Sequence, residues 1–125
     1  MNFKNKVIVI TGASSGIGEA SAIKFAKKNA KIVLVARRKE KLLQLQKKLV
    51  KFTDSTLVCQ CDVSNKTQVK EMTDIVLDTF GRIDVLINNA GFVIYGKVSE
   101  LSIEEIESQM ETNYFGMIYC TKNFL

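Results

Sequence analysis

The chain has 125 residues, enough for one domain and not comfortably for two, and its 46% hydrophobic and 25% charged residues exclude a disordered tail. No apolar run nears the ~18 residues of a membrane span, and the four-residue run before the first glycines is too short for a secretory signal, so a cytoplasmic protein with no membrane partner is expected. The net charge of +5 is unevenly spread: residues 1–51 carry thirteen Lys and Arg against Glu19 and Glu40, and residues 52–125 carry five against eleven acids.

In chain order, Val7-Ile8-Val9-Ile10 is β-branched throughout and continuous, as expected of a strand covered on both faces. A helical period follows, with Ala22, Phe25 and Ala26 on one face and Lys24, Lys27 and Lys28 opposite. Ile32-Val33-Leu34-Val35 is the second strand, and Leu42, Leu45 and Leu49 mark the second helix, with Lys47, Lys48 and Lys51 off its stripe. Thr56-Leu57-Val58-Cys59 is the third strand. The third helix carries Val69, Met72, Val76 and Phe80; Ser64 or Asn65 can cap it, and Gly81 follows its end. Val85-Leu86-Ile87 is the fourth strand, and Ile103, Ile106 and Met110 set the stripe of a fourth helix with Ser102 at its cap. Strands alternate with helices, and parallel strands need right-handed crossovers. The expected fold is therefore α/β: a three-layer, doubly wound parallel sheet in one domain over residues 1–125.

A basic half can mark a nucleic-acid or phosphate ligand, but lysines opposite apolar stripes are solvated helix faces by default, and nucleic acid is not an expected partner. Cys59, Cys61 and Cys120 form no C-x-x-C pair; Cys59 and Cys61 alternate along a strand and share a face. Three thiols, widely split in a chain with no histidine, fall short of the about four ligands of a zinc site, so buried thiols and no metal are expected. The missing histidine also removes Ser-His-Asp and Cys-His nucleophiles.

The chemistry is expected at the strand ends. The first strand runs into Thr11-Gly12-Ala13-Ser14-Ser15-Gly16-Ile17-Gly18, and a helix follows. Glycines let the backbone turn sharply and approach a diphosphate, while free N–H groups and the positive end of the helix dipole face the anion. A tight turn would also use glycines, but a strand–loop–helix setting is where a nucleotide site belongs.

The spacing Gly12-x3-Gly16-x-Gly18 resembles that of the short-chain dehydrogenase/reductase family. Asp62-Val63 after the third strand, Asn88-Asn89-Ala90-Gly91 after the fourth and Asn113 in Glu111-Thr112-Asn113-Tyr114-Phe115-Gly116 agree with it, over all 125 residues. The resemblance implies a Rossmann fold that binds a dinucleotide through Gly12, Ser14, Ser15, Gly16, Ile17 and Gly18. It implies Asp62 and Val63 beside the adenine, the backbone of Asn89, Ala90 and Gly91 against the cofactor, and a catalytic Asn113 that orders a water.

Sites that prefer NAD place an acid after the second strand to bond the ribose. Here that place holds Ala36, followed by Arg37 and Arg38. An arginine can grip a 2′-phosphate that an acid would repel, so Arg37, with Arg38 beside it, points to NADP(H) rather than NAD(H). The resemblance further implies hydride transfer between the nicotinamide and a small-molecule carbonyl or alcohol. A tyrosine is the acid/base, a lysine lowers its pKa and a serine polarises the substrate oxygen.

No Tyr-x-x-x-Lys is present: Ser99, Ile118 and Asn123 stand four residues after Tyr95, Tyr114 and Tyr119, and Lys122 is one position too close to Tyr119. The expectation is a domain truncated after the fourth strand, inside a helix that begins near Asn113, with the serine and the Tyr-x-x-x-Lys beyond Leu125. Such a chain would be inactive alone and would leave its fourth strand as an open edge. The alternative is a cofactor-binding or assembly protein without catalysis. Pairing into homo-oligomers is common in the family.

Overall fold

The β-branched runs become four strands, β1 (Val7–Thr11), β2 (Lys31–Ala36), β3 (Thr56–Gln60) and β4 (Val85–Ile87), in the computed structural model, which describes residues 1–125. Between them lie α1 (Gly16–Ala26), α2 (Lys39–Leu49) and α3 (Lys66–Phe80); α4 (Ile103–Met110), a π turn (Glu111–Gly116) and α5 (Met117–Phe124) complete the chain. All pairings are parallel and the order is β3-β2-β1-β4. The chain thus winds outward from β1 to β3, then returns to the other side of β1. That reversal opens a crevice beyond the carboxyl ends of β1 and β4, where doubly wound sheets hold their ligands.

Alternation along the strands divides the core in two. Ile8, Ile10, Ile32 and Leu34 meet Ala22 and Ala26 of α1 and Leu42, Leu45 and Leu49 of α2. Val7, Val9, Val33 and Val35 face the other way, onto Val69, Met72 and Val76 of α3. Lys24, Lys27, Lys28, Lys47, Lys48 and Lys51 are exposed, as solvated helix faces should be. No helix is long and apolar enough to cross a membrane.

Of the two candidate caps of α3, Asn65 does the work: its Oδ1 accepts from the Gln68 N–H at 3.1 Å, and Gly81 ends the helix at φ +73°. Ser102 and Glu105 close a reciprocal capping box on α4. One expectation changes here. No helix begins near Asn113; the helical run starts at Ile103 and passes through the π turn, so Asn113 lies inside it. The stripe of α4 forms as expected, yet α4 buries no residue completely and Ile103 is 65% exposed.

The three thiols, far apart in the chain, converge in the second core with Val63 and Val69. Burial pushes Cys59 and Cys120 up to about 11, and burial with the nearby Cys120 pushes Cys61 up to about 12. No group of three or more Cys, Asp or Glu is arranged to hold a metal ion. Since the thiolate is the nucleophile, the folded protein at pH 8 should resist iodoacetamide and take up three labels once unfolded in urea. Rapid labelling of the native chain, read by intact mass, would contradict this packing.

β4 has three residues and one partner, β1. A side-chain clip secures it: Asp84 Oδ2 accepts from the Val7 N–H at 2.8 Å, the Asp84 N–H donates to the Val7 carbonyl at 2.9 Å, and Arg82 grips Asp84 Oδ1. The Arg82 guanidinium and the Val7 N–H hold the Asp84 carboxyl below its ordinary value. A lowered folded value means stability that is present above the ordinary aspartate value of about 4 and lost as the pH falls below it. Asp84→Asn should flatten that acid limb of the urea midpoint against pH; an unchanged limb would assign it to other carboxylates.

Candidate functional site

A cleft of about 190 Å3 opens at the carboxyl ends of β1, β2 and β4. Gly12, Ser14, Ser15, Arg37, Arg38, Asp62, Val63, Asn89, Ala90 and Gly91 all line it, so ten of the residues singled out from the sequence converge. Gly16, Ile17 and Gly18 lie at the start of α1, beside the cleft rather than in its wall, and Asn113 is not in the wall either.

The three glycines have different work. A Cβ at Gly12 would stand 2.8 Å from the Ala90 Cα, and one at Gly18 would overlap the Gly12 carbonyl oxygen. Both positions are bare because backbone meets backbone. Around Gly16, at φ +55°, nothing lies within 4 Å, so this glycine faces open space. Ser15 caps α1 without a side-chain hydrogen bond, and the N–H groups of Gly16, Ile17 and Gly18 have no acceptor in the chain. Free donors at the positive end of a helix dipole form a cradle for an anion, so the residues present fit a diphosphate.

Thr11, which the sequence reading passed over, ties the loop to β4. Its hydroxyl accepts from the Asn89 and Ala90 N–H groups, both at 3.0 Å, and donates to the Ile87 carbonyl at 3.4 Å. That uses its one proton and both lone pairs. Asn89 Nδ2 donates to the Gly12 carbonyl at 3.1 Å, locking the same junction. Thr11→Val keeps the shape and orphans two N–H groups, which should cost about 2 kcal/mol or more in stability. A chemical-denaturation midpoint within 0.5 kcal/mol of the parent would show that water takes the place of the hydroxyl.

Three pins from the helical run hold the segment after β4. Asn88 Nδ2 donates to Thr121 Oγ1 at 3.1 Å, and the Ile94 N–H donates to Gln109 Oε1 at 3.0 Å. Between them, Asn113 Nδ2 donates to the Phe92 carbonyl at 2.7 Å while its Oδ1 accepts from the Phe92 N–H at 2.9 Å. One donor and one acceptor of the Asn113 amide thus engage Phe92, and its neighbour Thr112 joins Phe92 in the cleft wall. Thr112 carries no signal of its own in the sequence, whereas the apolar run Phe92-Val93-Ile94-Tyr95 reads there either as a pocket wall or as packing for the fourth helix. A π turn shifts the helical phase, and such turns recur at functional sites, but nothing in the residue pattern marks one. Of the apolar stretch after Gly91, Phe92 lines the cleft, while Val93 and Tyr95 are exposed.

Charge is graded across the cleft. Arg37 and Arg38 are exposed at the end of β2 and form no ion pair within the chain. Asp62 is anchored by Ser64, whose N–H and hydroxyl donate to its Oδ1 at 3.0 and 2.7 Å. Gln60 Nε2 donates to the Arg37 carbonyl at 3.0 Å and steadies the turn that carries the arginines. The arrangement offers an anion cradle after β1, a cationic pair after the neighbouring β2 and a fixed carboxylate beyond it, after β3.

Comparison with known proteins agrees with this layout. The family model described as short chain dehydrogenase matches residues 6–125. An uncharacterized oxidoreductase of Listeria innocua is 38% identical over 118 residues, which is 94% of this chain and 48% of that protein. Among solved structures, an L-sorbose reductase from Gluconobacter frateurii complexed with NADPH and L-sorbose superposes with a TM-score of 0.93 at 35% identity, over 99% of this chain and 48% of that one. A 3-ketoacyl-(acyl-carrier-protein) reductase from Brucella melitensis complexed with NADH gives 0.93 at 31% identity, over 98% and 50%. The chain spans about half the length of the curated relatives it matches.

Proposed function

The chain belongs to the short chain dehydrogenase family, and from that premise we propose that it carries the NADP(H)-binding part of an oxidoreductase acting on a small-molecule carbonyl or alcohol. The bound nicotinamide would supply or accept the hydride. The residues of this chain bind and orient. The N–H groups of Gly16, Ile17 and Gly18 take the diphosphate with the hydroxyls of Ser14 and Ser15, while Asp62 and Val63 meet the adenine. The backbone of Asn89, Ala90 and Gly91 lies along the cofactor. Asn113 acts as a positioning residue in this scheme, because its amide holds Phe92 and so fixes the wall next to Gly91. The serine and the Tyr-x-x-x-Lys of the family's proton transfer are not found among residues 1–125, and the proposal assigns that chemistry to residues outside them.

One observation carries the choice of cofactor: Ala36 stands where an NAD site keeps a carboxylate, and two arginines without acid partners follow it directly. The solved relatives include complexes with NADPH and with NADH, so the preference rests on Arg37 and Arg38 alone. Fluorescence titration should give an affinity for NADPH at least tenfold above that for NADH. Equal affinities would remove the NADP(H) assignment and leave the dinucleotide site. The same reading places the protein in the cytoplasm, in keeping with three unpaired thiols. It also pairs the protein with copies of itself, in keeping with exposed Ile103, Met110, Tyr114 and Met117 along the final helical run.

A further inference from the structure

We propose that Lys41 is a further specificity-determining residue, supplying beside Ser14 a third cation for the 2′-phosphate of NADP(H); the inference rests on the NADP(H) reading above. A recess of about 160 Å3 lies between α1 and α2, lined by Ser14, Glu19, Lys41, Gln44, Leu45 and Lys48. Ser14 also lines the main cleft, so the recess and the cleft share a wall. Five of its six lining residues are polar, which distinguishes it from a packing defect between helices.

The charges in the recess are not balanced. Lys48 Nζ lies 3.3 Å from Glu19 Oε1, and that pair occupies the only carboxylate. Lys41 pairs with no acid anywhere in the chain, so one free ammonium remains. It stands in the first turn of α2, three residues after Arg38, the extended cap residue that lines the rim of the cleft. Lys41 is half-buried, whereas Arg37, Arg38, Lys39, Lys47 and Lys48 are exposed. Its stem is already partly ordered, and less side-chain entropy is lost when its head engages a ligand. A cation in the first turn of a helix gains nothing from the helix dipole, so that interaction does not account for a lysine at this position. An anion at the shared wall would lie beside Ser14, with Arg38 on the cleft side and Lys41 on the recess side.

The test compares adenosine 2′,5′-bisphosphate with 5′-AMP by titration calorimetry on the parent protein, Lys41→Gln and Lys47→Gln. The last removes the same charge from α2 outside both the recess and the cleft. Lys41→Gln should narrow the bisphosphate preference about three- to tenfold, the range of one charge-assisted contact at a half-exposed site, while Lys47→Gln leaves it unchanged. An undiminished preference in Lys41→Gln, beside a parent that discriminates, overturns the role of Lys41 and leaves the NADP(H) reading standing. Equal narrowing in both variants also overturns it, because the effect is then that of diffuse charge. A parent with no preference for the bisphosphate overturns both.

Discussion

Gly18→Ala is expected to cost about 3 kcal/mol or more and to abolish dinucleotide binding, although it adds a single methyl group. The new Cβ falls on the Gly12 carbonyl oxygen and 2.6 Å from Asn89 Nδ2. Neither neighbour can yield cheaply. Gly12 sits at φ +63° with its α-carbon against Ala90, and its carbonyl already accepts from Asn89. Retreat of Gly12 would break that bond and carry Thr11 with it, orphaning the Asn89 and Ala90 N–H groups. Gly16→Ala makes the contrast. Nothing lies within 4 Å of its Cβ, so only the left-handed backbone is strained, at about 1 kcal/mol. Urea unfolding of the two variants measures the difference, and a Gly18→Ala protein within 1 kcal/mol of the parent would show that the loop gives way.

Removing both rim arginines should separate the two cofactors. In Arg37→Ala/Arg38→Ala the affinity for NADPH is expected to fall about tenfold to a hundredfold, the equivalent of one or two hydrogen bonds to a charged group, with NADH changed less than twofold. The side chains project into solvent and pair with nothing in the chain, so the fold should not register their loss. Because the rim is exposed, the NADPH advantage of the parent should also shrink as salt rises. Arg37→Asp goes further, placing a carboxylate where it can bond a ribose and repel a phosphate, and should favour NADH. Fluorescence titrations with both cofactors check all three. Parallel losses for NADPH and NADH in the double variant would mean that the arginines serve the loop and not the 2′-phosphate.

How far the molecule can be read from its residues depends on how local each signal is. Ile8, Ile10, Val33 and Val35 announce buried parallel strands because burial on both faces leaves no polar position in the run. The stripes of α2 and α3 and the Asn65 cap are likewise written within a few turns. Thr11 was not legible, since its value comes from the register that sets Ile10 beside Ile87, far along the chain. Cys59, Cys61 and Cys120 look scattered for the same reason, because only the packing of α5 beside α3 brings the last to the others. The bonds from Asn113 to Phe92 and the place of Thr112 in the cleft wall join residues about twenty apart, so they too depend on the fold and not on local pattern. The α4 stripe marks its helix and cap, but periodicity shows only that one face is apolar and not what covers it.

The strand order β3-β2-β1-β4 also sets a schedule for the newly made chain. The three strands made first are neighbours joined by consecutive crossovers, so the half of the sheet that holds Ile8, Ile32 and Leu34 can assemble on the ribosome while β4 is still inside it. At roughly 5–20 residues per second, the stretch from Gln60 to Val85 takes a few seconds to appear. During that interval the second edge of β1 is bare, and it is one of the most apolar strands of the sheet. Asp84 emerges immediately before β4 and carries both a donor and an acceptor for Val7. It is the first residue able to close that edge, which would make this largely covered carboxylate a safeguard against nascent chains joining one another.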